Sequence, residues 1–214
     1  MSIKTRLKEL KDELGTFSFW KSVRCEFLIT LIYVFIGCGS LTHIREPGSD
    51  THLKVALTFG LAQATLMQCV GHISGAHMNP AITLAMLVTG KMGLARAVCY
   101  ILAQCCGAIA GAGILYGTTP VKYHGSFGIT QIKDFVMPAQ AFAVEFMVTF
   151  ILVFTYFANL EPKRVDMGSR SLSVGLAVVL GHLFAVSETN TFTCFTDRVP
   201  NVASVMHFFA TIFF

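Results

Sequence analysis

Charge is scarce in this 214-residue chain: Asp, Glu, Lys and Arg together make up 13% of it, against 54% hydrophobic residues. A soluble domain of that length could not bury so much apolar surface, which excludes the ordinary cytosolic enzyme or binding module and places the chain in a bilayer. Also missing are a C-x-x-C pair, a metal-like Cys/His spacing and any N-x-[ST] acceptor for a glycan. The seven cysteines therefore suggest neither a zinc site nor a disulfide framework, and Cys38, Cys69, Cys99, Cys105 and Cys106, all inside apolar spans, are expected to be small, reduced packing residues. The first 19 residues, MSIKTRLKELKDELGTFSF, have no apolar core followed by a small-residue cleavage site, so no removable leader is expected. The first apolar span then serves as the targeting signal.

A clustered basic face is lacking as well. The net charge is +4, but the bases flank apolar spans and are not interleaved with aromatics, so no nucleic acid is expected as a partner. With the N-terminus on the cytoplasmic side, eleven Lys and Arg fall on inner segments and four on outer ones, the asymmetry that sets orientation. A multi-pass membrane protein follows, with the plasma membrane as its expected location.

What is abundant is the long apolar run. Full spans are expected at residues 23–41, 55–70, 94–116, 139–158 and 172–186, with residues 1–22 as a cytoplasmic N-terminal segment and 187–214 as a divergent tail. Between the second and third spans lies SGAHMNPAITLAMLVTG, Ser74 to Gly90. From Asn79 to Gly90 it would rise roughly 16 Å as a helix, about half of a ~30 Å hydrocarbon core. It reads as a half-helix at 79–90, with Asn79 as N-cap, Pro80 in the first turn, and Gly71, Ser74 and Gly75 allowing an irregular approach. Such a segment can enter the membrane and return to the side it left, its positive N-terminus at mid-depth.

An internal repeat supports that topology. Residues 26–35 (EFLITLIYVF) align without gaps on 145–154 (EFMVTFILVF) with six identities in ten, and Leu57, Gly60, Leu61 and Ala62 match Leu172, Gly175, Leu176 and Ala177. An odd number of spans separates the copies, so the second is inserted upside down. Glu26 and Glu145 would each cost about 2.5 to 3.5 kcal/mol near the membrane centre and need partners. Each is expected to accept from the unpaired N–H groups of a re-entrant loop. Asn79, capping its helix, could also donate its amide to a passing polar molecule.

The run Gly71-His-Ile-Ser-Gly-Ala-His-Met-Asn-Pro-Ala81, set between spans carrying Glu26 and Gln104, resembles the first signature of the aquaporin family over residues 20–186. The resemblance implies an all-α membrane protein: an inverted-repeat helical bundle of six tilted helices and two half-helices, assembled as a homotetramer with one pore per subunit. Its activity would be passive, osmotically driven water permeation, with no covalent chemistry and no cofactor. Asn79, Phe59 and His182 would line the pore, Phe59 and His182 standing where water-selective members keep an aromatic and a His. Glu26, Glu145, His77, Pro80 and Ala81 would support the loops.

The second signature is missing. The repeat places it at 194–196, where the chain reads Cys-Phe-Thr, followed by Asp197. The bundle is therefore expected to be C-terminally incomplete, through an alternative exon or shifted frame after about Ser187. One half-helix supplies roughly half an elementary charge of positive potential where two would add. A second function stands beside the water channel: a non-conducting variant that co-assembles with full-length subunits and modulates them. An intramembrane enzyme or metal site built from His72, His77 and His182 is the third and weakest, because no nucleophile and base share a helical spacing.

Overall fold

The fold is that of a computed structural model, which describes residues 13–41, 51–121, 138–161 and 168–189. These form six helices: α1 (Phe17–Gly39), α2 (Thr51–Ser74), α3 (Pro80–Val88), α4 (Leu94–Thr118), α5 (Pro138–Asn159) and α6 (Arg170–Thr189). By length and composition α1, α2, α4 and α5 can each cross a membrane, while the apolar part of α6, Arg170–Phe184, is shorter. Phe142, Phe146, Phe150 and Phe154 of α5 lie exposed on one stripe, and Glu26, Thr30, Gln63, His77, Thr83 and Gln104 lie buried. A polar interior under an apolar exterior suits a lipid solvent.

Apart from α4, which starts at the expected Leu94, the long helices start ahead of the apolar runs that announce them. α1 begins at Phe17, six residues before the expected span, because Thr16 Oγ1 accepts from Phe19 N at 3.3 Å and caps the helix upstream of Lys21 and Arg24. Hydrophobicity marks the stretch that lipid needs, and the helix extends past it. α2 likewise exceeds its expected 55–70 at both ends. The cysteines fit their expected role in part: Cys38 is buried, but Cys69 and Cys106 face outward.

Contact register fixes the directions of the helices. A Cβ on Gly107 would meet the Phe27 carbonyl oxygen, and one on Gly111 the Leu31 carbonyl oxygen, so α1 and α4 are parallel. Small residues four apart let the two backbones touch. Along α2 and α6 the partners run oppositely: Gly60 meets Val179, Ala64 meets Gly175, and Ser171 Oγ donates to Gln68 Oε1 at 2.6 Å. α2 and α6 are therefore antiparallel. So are α1 and α2, where the Phe59 ring fills the space over Gly37 and Ser22 Oγ donates to the Ile73 carbonyl at 2.9 Å.

Two consequences follow for topology. Between the parallel α1 and α4 lie one full helix and the nine-residue α3, about 13 Å long. If α3 crossed, α4 would oppose α1; it must return to its own side. Second, α6 pairs antiparallel with α5, Gly181 against Val148 and Asn159 Nδ2 donating to Ser173 Oγ at 2.7 Å. The copies α1 and α5, like α2 and α6, thus point in opposite directions, as an inverted repeat requires. Gly60 and Gly175, matched by the repeat, lie against each other's carbonyls on the α2–α6 seam, as residues related by a twofold axis should.

Candidate functional site

Residues 75–79 leave α2 and enter α3 without regular structure, so their backbone groups must find partners inside the protein. Gly75, Ala76 and Met78 have φ of 89°, 52° and 53°. For Ala76 and Met78 this left-handed geometry costs on the order of 1 kcal/mol each and persists only when the surroundings dictate it. They do so from both sides.

On one side three hydroxyls take up carbonyls. Ser22 Oγ donates to the Ile73 oxygen at 2.9 Å, Tyr100 OH to that of Ser74 at 3.0 Å, and Tyr156 OH to that of Gly75 at 2.8 Å. On the other side Glu26, with no exposed surface, gathers the donors. Its Oε1 accepts from Ser74 Oγ at 2.6 Å and His77 N at 3.1 Å, and its Oε2 from Met78 N and Gln104 Nε2, both at 2.9 Å. Ser74 Oγ in turn accepts from Ala76 N at 3.0 Å. Two of the four donors to Glu26 are thus backbone N–H groups of the loop, and the other two are side chains.

Asn79 caps α3: its Oδ1 accepts from Ala81 N at 2.7 Å, and Pro80 opens the first turn. Half-buried, Asn79 has no acceptor for its Nδ2 among the described residues, which leaves two amide hydrogens to point away from the helix. α3 closes on Gly90 at φ 70°, with Lys91 N donating to the Met86 oxygen at 2.9 Å and Gly90 N to the Leu87 oxygen at 3.0 Å. This 6→1 and 5→2 pair satisfies the terminal carbonyls and ends the half-helix where Gly90 stands. The helical residues are fewer than 79–90, but the two caps occupy that stretch.

Beneath the loop, the buried His77 holds Nδ1 3.0 Å from Thr83 Oγ1, between the edges of the Tyr100 and Tyr156 rings at 5.4 and 5.6 Å. Gln104 Nε2 also donates to Thr83 Oγ1 at 3.0 Å, tying α4 to α3. Phe59 and His182, 123 positions apart, come together with ring centroids 4.7 Å apart and planes at 30°. The rings stack rather than face one another across a gap. Phe59 is wholly enclosed, with Tyr33 edge-on at 5.4 Å, while His182 keeps some exposed surface.

Glu145 lies half-buried on α5, and positions 194–196, where its loop is expected, lie outside the described residues. His72 is exposed on α2, away from the enclosed His77. Among the described residues no three His, Cys, Asp or Glu side chains gather as a metal site would require. Sequence reasoning missed Ser22, Tyr100 and Tyr156. For the two tyrosines the available signal was a polar tip on an otherwise apolar residue within an apolar span, which must find a partner when buried; Ser22, just outside the first expected span, gave none.

The chain matches the family described as Major intrinsic protein over residues 13–193. It is 48% identical over 180 residues to aquaporin-4 of Mus musculus, covering 81% of this chain and 55% of that protein. It is also 48% identical over 178 residues to the lens fiber major intrinsic protein of Rattus norvegicus, covering 83% and 67%. The chain thus spans about half the length of the aquaporin-4 relatives it matches. In fold it resembles the X-ray structure of the aquaglyceroporin from Plasmodium falciparum, with a TM-score of 0.70 over 81% of this chain and 75% of that one, at 24% identity.

Proposed function

This chain belongs to the major intrinsic protein family, and from that premise we propose that it is an aquaporin-type channel subunit for passive, osmotically driven water permeation. The observation that carries the reading is the Glu26 clamp, which holds a half-helix with its N-terminal amide end turned inward. Free amide hydrogens on Asn79, backed by the positive end of α3, favour a polar neutral molecule and oppose a cation. His182 offers the exposed edge of the constriction and Phe59 backs it. Glu26, His77, Pro80 and Ala81 hold the tip in place, and Glu145 would serve the inverted copy. The N-terminus is cytoplasmic, the location is the plasma membrane, and copies assemble as a homotetramer.

A second reading keeps one observation in its favour. The repeat requires Asn-Pro-Ala at 194–196 and the chain carries Cys194, Phe195 and Thr196. A subunit without the opposing tip would assemble with full-length relatives and not conduct.

Both are tested in vesicles reconstituted with the full chain and exposed to an osmotic step. Water conduction predicts shrinkage several times faster than in protein-free vesicles. A rate equal to protein-free vesicles, with incorporation verified, removes the first reading; slowing of a co-reconstituted conducting relative would then establish the second.

A further inference from the structure

Three buried side-chain atoms among the described residues have no hydrogen-bond partner: Thr30 Oγ1, Gln63 Nε2 and Gln104 Oε1. Thr30 is 0% and Gln63 3% exposed. Buried polar groups are rarely left unmet, and where protein supplies nothing a water commonly does. The three sit on α1, α2 and α4, and none sits on α5 or α6.

Their positions are close in register. Thr30 lies one turn beyond Glu26 on α1, and Gln104 donates to that carboxylate. Gln63 lies one turn beyond Phe59 on α2, whose ring meets Gly37 and Tyr33 of α1, and one turn before Met67, which packs against the cluster of Ile29, Ala76 and Met78. Gln63 is thereby level with the stretch of α1 between Ile29 and Tyr33, which contains Thr30. One end of this stretch is the Glu26 clamp and the other is the Phe59–His182 stack.

We propose that Gln63 and Thr30 form a water-binding station between the half-helix tip and the aromatic pair. A water there accepts from Gln63 Nε2 and exchanges a hydrogen bond with Thr30 Oγ1, which satisfies both orphaned groups at once. Gln63 is then a second amide donor on the path beside Asn79, supplied by α2. This role rests on the water-channel reading, but occupancy of the station does not require conduction.

A structure of the full chain in lipid nanodiscs, at a resolution that shows ordered water, tests the station directly. The expected result is a water within hydrogen-bonding distance of both Gln63 Nε2 and Thr30 Oγ1, absent from Gln63→Met, which keeps similar volume without the donor. In vesicles Gln63→Met should lower permeability about two- to tenfold, the range for one lost hydrogen bond, and Thr30→Val should act in the same direction. Gln63 Nε2 donating directly to a protein group, with no water between, would overturn the proposal. So would unchanged permeability in Gln63→Met where the parent protein conducts. If the vesicles never conduct but the water is present and lost in the variant, the channel reading fails and the station stands; conduction around a dry Gln63 gives the reverse.

Discussion

Replacing Glu26 by Ala is expected to release the re-entrant loop and to lower the stability of the bundle by about 5 kcal/mol. Four donors converge on that carboxylate, and two of them are backbone N–H groups that have no other acceptor once the chain has left α2. With the carboxylate gone, the left-handed residues Ala76 and Met78 lose the contacts that impose their geometry. Glu26→Gln separates charge from shape. It keeps a carbonyl for one pair of donors but sets an NH2 against the other pair, so its loss should be smaller, about 2 kcal/mol. Unfolding titrations in micelles, with limited proteolysis across residues 75–79, read both changes. Equal stability of Glu26→Ala, Glu26→Gln and the parent protein would show that the loop is held by something else.

The second large effect is expected at the α2–α6 seam, where Gly60→Ala should destabilise by about 2 kcal/mol. Its new methyl would stand 2.6 Å from the Gly175 carbonyl oxygen and collide with the Val179 side chain. A backbone carbonyl cannot rotate aside, so the helices must separate, and the antiparallel register from Ser171 to His182 is lost with them. Gly113→Ala is the matched control: nothing lies within 4 Å of its Cβ position, and helix propensity alone should stabilise it by about 1 kcal/mol. One substitution, made at two helical glycines, should thus give shifts of opposite sign. Equal shifts at both would mean that α2 and α6 do not approach at Gly60.

Much of this arrangement is written in local sequence. Asn79, Pro80 and Gly90 specify the start and stop of α3 by their own backbone preferences, and the placement of Glu26 within an apolar span demands a loop for it to hold. The inversion of the copies is legible from spacing and parity. Less legible is what depends on distance: Tyr156 reaches Gly75 across 81 positions and Gln104 reaches Glu26 across 78, and no periodicity encodes such pairs. Gln63 reads as one polar residue in an apolar helix; its missing partner shows only once α1 and α2 are packed. Outward-facing Cys69 and Cys106 were expected inside because apolar spans conceal which face meets lipid.

The half-helix requires a chain that dips into the bilayer at Asn79 and leaves by the side it entered. Lys21, near the start of α1, and Lys91, just past the end of α3, are both exposed, and Arg96 at the start of α4 pairs with Glu13 at 2.8 Å. Cysteines placed singly at Lys21 and Lys91, in a background lacking the other exposed cysteines, can be probed in sealed vesicles of known orientation with a membrane-impermeant maleimide. Both positions should label from the same face. Labelling from opposite faces would make residues 80–88 a crossing segment and contradict the half-helix.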